Sequence, residues 1–126
     1  MSSENEQVKF FLWLDDIRDP ATHIESYLEE KWFWAKTAQA AIMALRSGNV
    51  IFASLDHDLT DEQMIRGGYL GQIYEDGQKS GYDVVLWLEQ HPEFWPTNGV
   101  QVHTANPAGR ARMQQVIDKH YQNMVY

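Results

Sequence analysis

A single three-layer α/β domain built on a mostly parallel sheet of four or five strands is the fold the sequence predicts, and three observations predict it. Short apolar runs suited to strands alternate with segments of helical spacing along the whole chain, the alternation that builds parallel sheets through right-handed crossovers. At 126 residues the chain is long enough for one core and too short for two, so residues 1–126 form one domain. Hydrophobic residues make up 44% of it, with five tryptophans, which supplies that core and argues against disorder.

Residues 1–7 are polar and predicted to be flexible. Val8 to Leu14 follows as a nearly continuous apolar run, the pattern of a strand covered on both faces. The stretch DPATHIESYLEE opens on an Asp-Pro stop and predicts a short helix with Ile24, Tyr27 and Leu28 at helical spacing. WFWAK is the second strand. TAQAAIMALRSGN begins with a threonine cap, sets Ala41, Ile42 and Leu45 on one face and closes at Gly48, which predicts a helix. VIFASL is the third strand.

Residues 60–81 carry five glycines and little periodicity; a loop of that length inside a compact domain usually serves function, so it is expected to act as a lid. YDVVLWLEQH predicts a helix packed on the sheet through Val84, Val85, Trp87 and Leu88, ended by PEFWPTNG. VQVHTA is the fourth strand. NPAGRARMQQVIDKHYQ predicts a last helix with Pro107 in its first turn and Met113, Val116, Ile117 and His120 or Tyr121 inward, leaving NMVY as a possible fifth strand. The order is βαβαβαβα, with helices expected on both faces of the sheet.

Composition narrows the chemistry. A formal charge of −8 argues against a double-stranded nucleic-acid or anionic-membrane binder, which needs a phosphate-neutralising basic surface. A small phosphorylated or nucleotide ligand stays open. No apolar run approaches the length of a membrane span and the amino-terminal stretch has no secretory character, so a cytoplasmic protein is expected. With no cysteine, any metal must sit on oxygen or imidazole.

In open parallel sheets ligands gather outside the carboxyl ends of the strands. Asp15 and Asp16 end the first run, Asp56, His57 and Asp58 the third, and His103, Thr104 and Asn106 the fourth. One topology thus draws polar groups from three distant segments to one rim. Taken singly, DD or DHDL is better read as a turn cap. Together, Asp15, Asp16 and Asp56 form an all-oxygen set suited to a hard divalent ion, magnesium or manganese, because adjacent carboxylates repel without a cation. His57 and His103, with Asp58 beside them, are candidates for proton transfer near neutral pH. Asn106 and Arg110 at the start of the last helix are candidates for holding phosphate, by amide and guanidinium, with Thr104 on the same rim.

These motifs resemble a known family. LWLDD, ASLDHDL and VQVHTAN are similar to the receiver domain of two-component signalling, in which paired acids and a third aspartate hold magnesium. The ordered set LDDIRDP, SLDHDL, SGYDVVLWL and VHTANPAGRARM resembles more closely the cyclic-phosphate-processing receiver domains, over about Val8 to Ile117. That resemblance implies a flavodoxin-like sheet and a magnesium-type site at Asp15, Asp16 and Asp56. It also implies phosphoesterase chemistry on a cyclic phosphate of nucleotide or RNA origin. His57, Asp58, His103 and Asn106 match the polar positions added in that group, and Thr104 the hydroxyl residue of receivers. Signalling receivers carry a lysine after a fifth strand, whereas here Lys119 lies within the last helix, so switching through a phosphorylated Asp56 ranks last. A nucleotide or cyclic-nucleotide binding module without chemistry is the other alternative.

Overall fold

The computed structural model describes residues 8–25, 27–59 and 80–123. Four strands, β1 (Phe10–Leu14), β2 (Trp32–Ala35), β3 (Val50–Leu55) and β4 (Val100–Val102), pair in the all-parallel order β2-β1-β3-β4. Three α-helices accompany them among the described residues: α1 (Ala38–Arg46), α2 (Gly81–Gln90) and α3 (Pro107–Asn123). The molecule is a flavodoxin-like α/β domain, as the alternation of elements predicts.

The chain goes from β1 outward to β2, then crosses β1 to reach β3 and continues to β4. With right-handed crossovers, the first connection must lie on one face of the sheet and the later ones on the other. Leu12, Leu14, Ala53 and Leu55 point to the helical face and are fully buried beneath Ala41 and Leu45 of α1, Val84, Val85 and Leu88 of α2, and Met113 and Ile117 of α3. α1 touches α2, and α2 touches α3.

The opposite face differs from the expectation of helices on both sides. Between β1 and β2 there are two 3-10 turns, Pro20–Thr22 and Tyr27–Glu29, where a short α-helix is predicted. The reason is local. Asp19 caps a turn begun by Pro20, and His23 closes it by donating to Pro20 O, so the backbone reverses before an α-helical ladder can extend. Leu28, placed inward by helical spacing, is 93% exposed. This thinner layer leaves Phe11, Trp13, Trp32 and Phe52 along one wall of an open cleft.

Other boundaries move less. The first strand starts at Phe10 rather than Val8, and the fourth stops at Val102, so His103 and Thr104 belong to the loop. Trp87 is half-buried, stacked on His91 and Phe94 at the helix end. Of the lid expected over residues 60–81, Ser80 caps and Gly81 opens α2, and residues 60–79 lie outside the described residues, as do 1–7 and 124–126; Asn123, expected to open a fifth strand, ends α3. Among the described residues no helix is long and apolar enough to cross a membrane.

Candidate active site

Strand order reverses between β1 and β3, and the carboxyl ends of strands at such a switch point are where open α/β sheets take ligands. Asp15 and Asp56 flank that point. The ladder runs one residue past each strand, Asp15 N donating to Ala35 O at 3.0 Å, Asp56 N to Leu14 O at 3.0 Å and His103 N to Leu55 O at 2.9 Å. Rigid sheet backbone therefore sets all three residues. Carboxylate oxygens of Asp15, Asp16 and Asp56 lie within 4.8 Å of one another.

Asp15 is buried at 1% exposure. Its Oδ1 accepts from the Ile17 and Arg18 amides, both at 2.9 Å, and its Oδ2 faces His103 Nε2 at 3.1 Å and Arg18 Nη1 at 3.6 Å. Burial raises its pKa, but these hydrogen bonds and the Arg18 charge outweigh burial and hold the carboxyl below its ordinary range. Asp56 goes the other way. Burial pushes it up, the Asp15 charge adds to that, and hydrogen bonds from Thr104 and the Asp58 amide offset only part. The Thr104 side chain, buried beside it, also accepts from Asn106 N at 3.2 Å.

His103 and His57 are held differently. The His103 ring stacks on Trp13 at 3.9 Å and 6°, with Nδ1 2.7 Å from Ser54 Oγ and Nε2 on Asp15. Because ionised Asp15 can only accept, Nε2 carries a proton, and in the neutral ring Nδ1 accepts from the Ser54 hydroxyl. Both nitrogens are thus engaged, and His103 orients Asp15. The His57 ring donates from Nδ1 to Asp58 Oδ1 at 2.8 Å. Asp58 is kept ionised: burial raises its pKa, but hydrogen bonds from His57 and Asn106 and the charges of His57 and Arg18 bring it below its ordinary value. With Nδ1 protonated, the neutral ring presents a basic Nε2, which engages no partner among the described residues.

Asn106 joins these parts. Its Nδ2 donates to Asp58 Oδ1 at 3.2 Å, and its Oδ1 caps α3 by accepting from Gly109 N at 3.0 Å. Gly109 is required there, since a Cβ would come within 2.5 Å of His57 Cγ. The expected phosphate groups are therefore placed unequally. Thr104 lies against the acids, the Asn106 amide is committed to Asp58 and the helix start, and the Arg110 guanidinium donates to Val102 O at 3.0 Å and Thr104 O at 2.9 Å.

Four contributors escaped the sequence reading. Arg18 acts on Asp15, Asp56 and Asp58 alike and donates to His103 O at 3.2 Å. Its only sequence signal is its place three residues after Asp15. Ser54, two residues before Asp56 on the same strand, orients His103. Trp13 and Trp34 fix the 15–18 loop, donating to Arg18 O at 2.9 Å and Asp15 O at 2.7 Å.

The donor set fits a divalent cation. It is all oxygen, compact, and contains in Asp56 a carboxylate destabilised by Asp15, a repulsion that a cation would relieve. No curated protein and no solved structure matches the chain at a significant level. A family model does, over residues 10–119, and its description is the cyclic-phosphate processing receiver domain. The model spans both acidic motifs, the His57–Asp58 pair and all of the strands, and the chain belongs to the cyclic-phosphate processing receiver domain family.

Proposed function

We propose that the protein is a metal-dependent phosphoesterase that opens a cyclic phosphate of nucleotide or RNA origin. The observation that carries this reading is the convergence of three carboxylates at the sheet's switch point, one of them Asp56, next in the chain to a histidine whose Nδ1 is engaged by Asp58 and whose Nε2 has no partner among the described residues. Asp15, Asp16 and Asp56 would hold magnesium or manganese, which when bound neutralises phosphate charge and polarises the phosphorus for attack. His57 Nε2 takes a proton from water as the water oxygen bonds to phosphorus. The ring P–O bond breaks, and His57 returns the proton to the departing sugar oxygen. Asp58 stabilises the imidazolium between those transfers, and Asn106 holds Asp58. His103 and Arg18 keep Asp15 ionised and oriented.

Aspartyl-phosphate signalling draws less support. The cation that the described residues bring to Asp15 is an arginine, and His57 has no part in that chemistry. Phosphorus NMR of 2′,3′-cyclic and other cyclic phosphates incubated with the protein and magnesium or manganese tests the proposal. The expected result is a phosphomonoester product whose formation stops in chelator and in His57→Ala. Saturable binding with every ligand recovered intact would make the protein a binding module instead.

A further inference from the structure

The thin layer between β1 and β2 leaves a cleft of about 390 Å³ on the sheet face away from the helices, within the size range of small-molecule sites. Phe11, Trp32 and Phe52 line it with rings inclined at 51° to 87° to one another, and Glu25 and Glu30 line it from the connection. Trp32 Nε1 donates to Glu30 Oε1 at 3.3 Å, which ties that carboxylate to the aromatic wall. The cleft shares a boundary with the candidate active site. Trp13 and Ser54 line it, and the same two residues stack on and hydrogen-bond His103. Each lies two residues before a site aspartate, roughly 7 Å along a strand, a separation that a ribose can bridge.

We propose that this cleft is the base subsite of the phosphate site and takes a nucleobase with N–H donors on its edge, guanine before the others. Aromatic walls accept any base by stacking, while a carboxylate selects one with two adjacent N–H groups, which only guanine presents as a matched pair. The inference rests on the cyclic-phosphate reading for the attached sugar and phosphate, and on the cleft alone for the base.

Two measurements separate them. Tryptophan fluorescence titrated with guanosine, uridine and choline reads the cleft directly. Guanosine is expected to quench saturably and several-fold more tightly than uridine, with affinity lowered about tenfold in Phe52→Ala and several-fold in Glu25→Gln, whose exposed position leaves folding intact. Absence of saturation, affinities unchanged in Glu25→Gln, or preference for choline, an organic cation, overturns the subsite. Turnover of guanosine 2′,3′-cyclic phosphate is then compared with that of base-free ribose 2,3-cyclic phosphate. Equal kcat/KM overturns the subsite and leaves the phosphoesterase standing. Guanosine binding with turnover of neither supports the subsite and removes the phosphoesterase.

Discussion

Gly109 shows how closely single residues set the candidate chemistry. It sits in the first turn of α3, where alanine would ordinarily be preferred over glycine by about 1 kcal/mol, yet its missing side chain is the space the His57 ring occupies. A methyl group there pushes an imidazole rather than backbone, so the ring turns away and the helix survives. Gly109→Ala is expected to keep its melting temperature within about 3 °C of the parent while kcat/KM for a cyclic phosphate falls at least roughly tenfold, as misplacing a catalytic group does. Equal activity in parent and variant would remove His57 from the mechanism. Asn106 has a comparable double duty, since one amide caps a helix and holds Asp58.

At the scale of elements, α2 is docked as well as capped. Ser80 and Asp83 form a reciprocal capping box, and Gly81 N donates to His57 O at 3.1 Å. The helix start is thereby tied to the loop that carries Asp56 and His57. A Cβ at Gly81 would overlap the carbonyl oxygen of Asp56, and neither backbone can yield without breaking β3 or α2. Gly81→Ala should therefore lower stability by about 3 kcal/mol, roughly 10 °C in melting temperature, despite its better helix propensity. Thermal denaturation followed by circular dichroism checks this, and an unchanged midpoint would contradict the close docking.

For the whole molecule, the buried Asp15 and Asp56 and the half-buried Asp58 set opposing pH dependences. Asp15 and Asp58 have folded pKa values below the ordinary 3.8, so the stability they contribute is present above that value and is lost as pH falls through the folded ones. Asp56 is raised above 3.8; its contribution is full below 3.8 and is lost as pH rises through the folded value. In chelator, Asp56→Asn is expected to be more stable than the parent by about 1 kcal/mol at pH 7. The gain should shrink toward pH 4, and both proteins should lose stability below it. Magnesium should raise the midpoint of the parent and leave that of Asp56→Asn nearly unmoved. A stability difference that is flat from pH 4 to 7 would show that Asp56 is not strained.

What the sequence determined by itself is local: the strand cores, the capped helix after Thr37, and the acids and histidines waiting where apolar runs stop. Spacing and composition carry that much because periodicity is a property of neighbouring residues. The tertiary structure alone decided which of those groups meet. Arg18 and His103 are 85 positions apart and Asp15 and His103 are 88, and they touch because β4 lies next to β3 and β3 next to β1. Strand order also decided that His103 is satisfied at both nitrogens while His57 is engaged at Nδ1 alone among the described residues, and that a helix predicted from Ile24, Tyr27 and Leu28 is two 3-10 turns over an open aromatic cleft. The physical reason is that hydrogen bonds between distant segments depend on the arrangement of whole strands, which no local pattern encodes.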